Sequence, residues 1–338
     1  MGLKGYIAKR ILVGILTLWV VATLNFLIFA VLPGDPTRYM LNPDMTEEQK
    51  ELIRRWYGVY DPWPVKYIKY LRNMFSFGIV PPYFGYSLKS GQFIASELSW
   101  RLPLTVGLLG SALVLTILVG VPIGIYAASK RGTKVDTTIM GIGLFTYGVP
   151  TFFVQLLAIL FFISFIYQRF GILLFPPGGW VSYPRPQGVI PFILDVLWHF
   201  ALPVLTLVIC SFAGWSLYTR NLLLDALTED YVMTARAKGL PERTVLFKHA
   251  FKAIQPPIVT LITLSIPGLV TGAIITEQIF GLQGIGQWYI ESISAANADY
   301  PVVQAVLFIF AFLTILCNFI ADILYGILDP RIRVGQRR

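Results

Sequence analysis

Glu229-Asp230-Tyr231-Val232-Met233-Thr234-Ala235-Arg236-Ala237-Lys238-Gly239 lies between two long apolar segments and decides how the chain is read. The stretch is polar and cation-rich, and it is patterned as a short amphipathic helix stopped by a glycine. Between two membrane spans, such a helix has nothing to bury its small-residue face against unless a partner protein supplies a groove. The expectation is a membrane subunit driven by another protein, not a self-contained enzyme.

Composition supports the membrane reading. The 338 residues are 56% hydrophobic and 13% charged, against about 25% charged in soluble domains. The formal net charge is +9, but the cations form no single basic patch, so no nucleic-acid partner is expected. Six apolar segments, near 11–32, 104–128, 139–167, 200–218, 258–280 and 302–327, reach the roughly 20 residues that cross the hydrocarbon core. Pro150 predicts a bend in the third. The expected fold is an all-α membrane protein of six transmembrane helices. The first is expected to be an uncleaved anchor, being longer than the apolar core of a signal peptide.

Lys4, Lys9 and Arg10, then Lys130, Arg131 and Lys134, then the cations of 220–252, then Arg331, Arg333, Arg337 and Arg338 fall on one side of these spans. The positive-inside rule therefore puts both termini in the cytoplasm of a multi-pass cell-membrane protein. Residues 1–32 are then a tail and first helix. Residues 33–101 are an extracytoplasmic helical scaffold domain, and 102–338 are a five-helix core with a cytoplasmic loop at 220–257.

Within 33–101, Pro33-Gly34-Asp35-Pro36 makes a turn, and Thr46-Glu47-Glu48-Gln49 is a capping box opening a helix that Gly58 stops. A second helix after Pro64 places Val65, Ile68, Leu71 and Phe75 on one face. Both helices are expected to lie on the membrane's outer surface or on a partner subunit. The proline- and glycine-rich loop 168–199 reads as a rigid non-helical cap, with Trp180, Tyr183 and Trp198 as interfacial anchors.

Several chemistries have no residues to carry them. No phosphate-binding loop occurs; Gly281-Leu282-Gln283-Gly284-Ile285-Gly286 is glycine-rich but lacks the lysine and falls outside. His199 and His249 lie on opposite membrane sides, so neither a metal centre nor a catalytic residue is expected. Cys210 and Cys317 fall in spans as buried thiols. Glu277 and Asp322 sit near span ends, where packing against a partner subunit is preferred to substrate contact. Gly120–Gly124 and Gly268–Gly272 permit close helix crossings. A self-sufficient channel or secondary transporter should show internal symmetry or discontinuous helices around charged groups, and neither pattern is present.

The polar segment itself divides in two. The fourth span continues outward and leads to a short helix, with a turn at Gly239-Leu240-Pro241. A second helix over 242–253 is ended by Pro256-Pro257. Ala235 and Ala237 supply a surface for close approach to a groove, and Arg236 and Lys238 supply cationic donors. An ordinary basic loop satisfied by acidic lipid headgroups is the competing reading.

This segment resembles the Glu-Ala-Ala (EAA) loop of bacterial and archaeal ABC importer permeases. More narrowly, Asp230-Tyr231-Val232, Ala235-Arg236-Ala237-Lys238-Gly239 and His249-Ala250 resemble the B-type subunit of the dipeptide/oligopeptide permease family. Arg101-Leu102-Pro103-Leu104-Thr105, Gly120-Val121-Pro122-Ile123-Gly124, Asp299-Tyr300-Pro301-Val302-Val303-Gln304 and Leu328-Asp329-Pro330-Arg331-Ile332 extend the resemblance over nearly the whole chain. Departures stand at Gly148, Ala253, Gln255 and Gln283, outside the Ala-Arg-Ala-Lys-Gly core.

The resemblance implies the type I ABC importer permease fold, paired with a second, homologous permease. Two ATPase subunits would bind ATP and magnesium and do the hydrolysis, so this chain carries no cofactor and does no bond chemistry. An extracytoplasmic substrate-binding protein would deliver the cargo, and membrane lipid would surround the spans. Glu229, Asp230, Tyr231, Ala235, Arg236, Ala237, Lys238 and Gly239 are the expected ATPase-coupling residues. Glu277, Gly284, Gly286 and Asp299 are candidates for the binding-protein face or the pathway. Peptides are the expected substrate, with oligosaccharides or nickel complexes as the alternative.

Overall fold

A computed structural model describes residues 3–31, 41, 45–56, 58–77, 79–80, 84–265, 274–294 and 298–328. The Pro33–Pro36 turn, the Gly268–Gly272 pair and the chain ending from Asp329 lie outside the described residues. The elements are α1 (Leu3–Val31), α2 (Glu47–Trp56), α3 (Trp63–Met74), α4 (Ile94–Ser129) and α5 (Lys134–Gly148). Then come α6 (Thr151–Ala158), a π segment (Ile159–Phe165), α7 (Ile166–Phe170), α8 (Val189–Leu227), α9 (Asp230–Ala237) and α10 (Glu242–Thr244). A second π segment (Val245–Ala250), α11 (Phe251–Ser265), α12 (Ile274–Phe280), α13 (Ile285–Ile293) and α14 (Tyr300–Leu328) complete the chain. Among the described residues the extended pairing is a lone bridge, Tyr86 to Phe93. The protein is all-α.

Five stretches among the described residues are long and apolar enough to cross a membrane: Ile7–Phe29, Ile94–Ser129, Thr151–Phe170, Val189–Leu227 and Tyr300–Ile320. The expected span at 258–280 runs through residues outside the described set, with α11 entering it and α12 leaving it. The expected span at 139–167 is replaced by two helices. Its helix stops at Gly148, Val149 is extended (φ −82°, ψ 131°), and α6 starts after Pro150. The proline ring forces the preceding residue out of the helical region, so the chain breaks where a bend was expected.

The described residues fall into two compact units. The first lies within Met1–Thr105, Ile266–Ile274 and Gln283–Ile323, and the second within Val106–Ser265, Ile275–Leu282 and Leu324–Arg338. In the first unit, Leu18, Ala22 and Phe26, four apart on α1, join Val302, Val306 and Phe308 of α14 in the core. The capping box of α2 forms reciprocally: Thr46 N–H donates to Gln49 Oε1 at 3.0 Å and Gln49 N–H to Thr46 Oγ1 at 3.3 Å. On α3 the buried stripe is Tyr70 and Met74, flanked by Tyr67 and Leu71, while Val65 and Ile68 stay exposed. Of the apolar face expected to lie on the membrane surface or a partner subunit, Val65, Ile68 and Phe75 are left exposed by the chain itself and Leu71 is partly covered. Phe26 draws in the tyrosines, with ring centroids 5.1 Å from Tyr67 and 5.5 Å from Tyr70.

The second unit is held by close helix approach. A Cβ on Gly120 would lie 2.7 Å from the Phe212 carbonyl oxygen, and one on Gly124 would lie 2.5 Å from that of Ser216. Only glycine lets α4 come this near to α8. Gly143 of α5 sits against Ala213 of α8 in the same way. The cap 168–199 is non-helical only between the end of α7 at Phe170 and the start of α8 at Val189. Trp198 on that helix donates Nε1–H to the Leu174 carbonyl at 2.8 Å, and Arg185 lies 4.3 Å over the Phe192 ring.

Candidate functional site

The short helix α9 forms where the sequence placed it. Glu229 is its N-cap, with an extended backbone, and its carbonyl accepts from Val232 N–H at 2.9 Å and Met233 N–H at 3.1 Å. Lys238 N–H closes the last turn on the Thr234 carbonyl. Gly239 then reverses the chain at φ +75°, a left-handed conformation that side-chain-bearing residues resist.

The face of α9 turned inward is Val232 (0% exposed) and Ala235 (4% exposed). They pack on Leu223, Ala226, Val245, Leu246, Ala250 and Ile254. Ala235 is therefore part of the unit's own core, not of a free surface. Glu229, Asp230, Tyr231, Met233, Thr234, Arg236, Ala237, Lys238 and Gly239 are exposed. With 100° per residue, Asp230, Met233, Thr234 and Ala237 stand opposite the buried pair. The Tyr231 hydroxyl is pushed up first by desolvation and then by the neighbouring Glu229 carboxylate.

Arg236 reaches back into the chain. Its guanidinium forks onto Glu242, Nη2 to Oε1 at 2.6 Å and Nε to Oε2 at 3.2 Å, and Nη1 donates to the Leu227 carbonyl at 3.5 Å. One side chain thus ties α9 to the end of α8 and to the start of α10, across the Gly239 turn. The hydrogen bond from Arg236 holds the Glu242 carboxyl below its ordinary value, against a smaller opposing effect of desolvation. Arg236, Glu242, Arg131, Leu227 and Leu246 line a cavity of about 250 Å³. The helix begun at α10 does not stop at Pro256-Pro257, as the sequence suggested. Both prolines lie inside α11. Proline's fixed φ is itself helical, and a helix ending in apolar surroundings would strand its backbone groups.

One pair, a buried acid with a half-buried arginine, escaped the sequence reading. Asp136, in the first turn of α5, accepts from Arg220 Nε at 2.7 Å on one oxygen and from Arg220 Nη2 at 2.7 Å on the other. Gly132 N–H adds a third bond at 3.1 Å. Asp136 is 4% exposed, and the hydrogen bond from Arg220 is the main cause that lowers its carboxyl's pKa. The available signal was a lone acid following Lys130, Arg131 and Lys134, and an arginine at the polar end of a long apolar span.

The remaining candidates each have surroundings within their own unit. Glu277 is 0% exposed, covered by its own chain where packing on a partner subunit was expected. Beside it, Gln155 of α6 donates to Thr276 Oγ1 at 2.8 Å, and Gly179 N–H donates to the Phe280 carbonyl at 3.0 Å, fixing the cap to α12. Gly284 is the N-cap of α13 and Gly286 is buried in its first turn. Asp299 is 2% exposed and accepts from Ser87 Oγ at 2.6 Å and from Leu88 and Lys89 N–H at 3.1 Å each. Asp322 pairs with Arg10 at 2.9 Å. Among the described residues no three His, Cys, Asp or Glu side chains gather as metal ligands.

Comparison with known proteins accounts for this layout. Residues 120–334 match the family described as "Binding-protein-dependent transport system inner membrane component". Residues 3–109 match its N-terminal companion, "Binding-prot-dependent transport system membrane comp, N-term". The chain is 34% identical over 331 residues to the oligopeptide transport system permease protein AppB of Bacillus subtilis (strain 168), covering 98% of this chain and 99% of that one. It is 31% identical over 330 residues to the dipeptide transport system permease protein DppB of Lactococcus lactis subsp. cremoris (strain MG1363), covering 97% and 99%. It is 33% identical over 328 residues to the glutathione transport system permease protein GsiC of Escherichia coli O1:K1 / APEC, covering 97% and 98%. Two family matches that together span almost all of the chain, and relatives aligned end to end with it, place the protein: it belongs to the binding-protein-dependent transport system inner membrane components, as an ABC importer permease.

Proposed function

We propose that this chain is one half of the translocation pathway of an ATP-driven importer of di- and oligopeptides. It works with a second, homologous permease, two ATPase subunits that bind ATP and magnesium, and an extracytoplasmic binding protein. Both termini and the 220–257 segment face the cytoplasm. The observation that carries the reading is α9: a helix of 8 residues between long apolar helices, with Val232 and Ala235 as its buried side chains and the rest exposed. An isolated helix of that length has little stability in water, so its form depends on what it packs against. One face is packed on its own unit. The opposite face (Asp230, Met233, Thr234 and Ala237) is the one we assign to the ATPase groove, with Met233, 55% exposed, as its apolar centre. Arg236 and Glu242 brace the helix from behind.

The peptide assignment is supported by the relatives, which are oligopeptide, dipeptide and glutathione transport permeases. The test is reconstitution of the full complex in proteoliposomes. The measured quantities are ATP hydrolysis stimulated by loaded binding protein and uptake of labelled tetrapeptide against labelled maltotetraose. Stimulated hydrolysis with peptide uptake is expected. Sugar uptake alone would overturn the peptide assignment, and uptake by this chain without ATPases would overturn the importer-subunit reading.

A further inference from the structure

We infer that Asp136 and Arg220 are positioning residues that lock α5 to α8, so that a displacement of α9 moves both helices as one body. The inference rests on the proposed coupling role of α9 and adds an element that the role does not include. Three observations carry it. The pair is bidentate, with both bonds at 2.7 Å, and Gly132 N–H occupies a further site on the same carboxylate. A guanidinium fork fixes orientation as well as distance, which a single bond does not. The pair is shielded, with side-chain exposures of 19% for Arg220 and 6% for Asp136, so water competes weakly for it.

The second observation is position. Arg220 stands two turns before the end of α8 at Leu227, directly upstream of α9, and Asp136 stands in the first turn of α5. A load applied at α9 meets this pair before it meets the rest of α5. The third is packing farther along the same two helices. Gly143 rests on Ala213, where an added Cβ would be 3.1 Å from the alanine Cβ. Two separated attachments, one ionic and one by close contact, prevent both sliding and rotation of α5 on α8. At its far end α5 stops at Val149-Pro150, where no helical hydrogen bond carries the motion onward. The clamp therefore joins α5 to α8, while α6 beyond the break meets α8 through packing of its own.

The test uses the complete reconstituted transporter. In a background with Cys210 and Cys317 replaced by serine, spin labels are placed at Val135 on α5 and Asp225 on α8, both exposed. Their separation is measured with and without ATP. A single, unchanged distance is expected, and a nucleotide-dependent change would overturn the inference. Asp136→Asn should split or broaden that distance. It should also lower uptake per ATP hydrolysed by about tenfold or more while ATP hydrolysis persists. The exchange Asp136→Arg with Arg220→Asp should restore most of the uptake. Unaltered uptake per ATP in Asp136→Asn would overturn the inference. So would equal loss of uptake and hydrolysis in every variant with no restoration by the exchange, because that marks a pair that only supports folding. Failure of the unsubstituted complex to couple hydrolysis to uptake would instead count against the importer reading itself.

Discussion

Asp299 and Asp136 are both nearly dry carboxylates, 2% and 4% exposed, and they are satisfied in opposite ways. Asp299 accepts from one hydroxyl and two consecutive backbone amides of 87–89. All of its donors belong to one loop, so it holds the shape of that loop and fastens it to the start of α14. Asp136 takes its two strongest bonds from a charged group on another long helix, so it fixes the position of one helix against another. The first ties a loop, through one hydroxyl and two uncharged backbone amides, to the end of a helix. The second is a joint, and its loss leaves a charge behind. Burial of a carboxylate alone does not distinguish the two; the ownership of its donors does.

That contrast is broken or sharpened by a graded set of substitutions. The largest effect should come from Asp136→Ala, which strands the Arg220 guanidinium in a site open only at its edge. A loss of about 3 kcal/mol is expected, the low end for a broken buried pair. The thermal unfolding midpoint of the purified chain in detergent reads it, and a smaller fall than that of Asp299→Ala would erase the distinction. Asp299→Ala removes one acceptor from three donors and should cost about 2 kcal/mol. Its signature is faster proteolytic cleavage within 87–92, with little change in uptake per ATP.

Gly239→Ala comes next. An added Cβ meets nothing within 4 Å, so only the strain of φ +75° remains, about 1 kcal/mol. Gly239→Glu carries the same strain and adds a charge at the surface assigned to the ATPases. It should abolish uptake while the chain still reaches the membrane. Equal uptake by the two variants would place the docking face elsewhere.

The smallest effect belongs to Glu242→Gln. Side-chain exposures of 38% for Arg236 and 65% for Glu242 make this a screened surface pair, worth less than about 1 kcal/mol. Its sign with pH follows from the lowered carboxyl. The folded state holds fewer protons than the unfolded one between the depressed value and the ordinary 4.5. The contribution is therefore complete above that ordinary value and is lost as pH falls through the depressed one. Unfolding midpoints of the unsubstituted chain and of Glu242→Gln should differ slightly at pH 7 and converge on acidification.

Much of the coupling segment was legible in the residues. The end of α9 and the Gly239 turn follow from hydrogen bonds that span three or four residues, as does the Thr46–Gln49 box. What local sequence left open was rotation about the helix axis. Ala235 looked available for docking and is core, whereas Arg236 stays exposed while it is tied to Glu242. Both alanines of the Ala-Arg-Ala core are equally small, and composition cannot tell which of them faces inward.

The sequence by itself determined the membrane class, the long apolar helices, the capped α2 and the α9–Gly239 turn. Each depends on hydropathy or hydrogen bonding within a turn or two, and such interactions are encoded in neighbouring residues. Only the tertiary structure decided which face of each helix is buried. In a span, lipid-facing and core-facing side chains are both apolar, so Leu16 and Trp19 are exposed while Leu18 and Ala22 are buried with no change in hydropathy to mark them. The same holds for pairs joined across the chain, Asp136 with Arg220 at a separation of 84 residues and Ser87 with Asp299 at 212. The meeting of Asp136 with Arg220 depends on how α5 and α8 are turned about their axes, and that of Ser87 with Asp299 on where a loop and a helix end are brought together; packing sets both and local sequence does not.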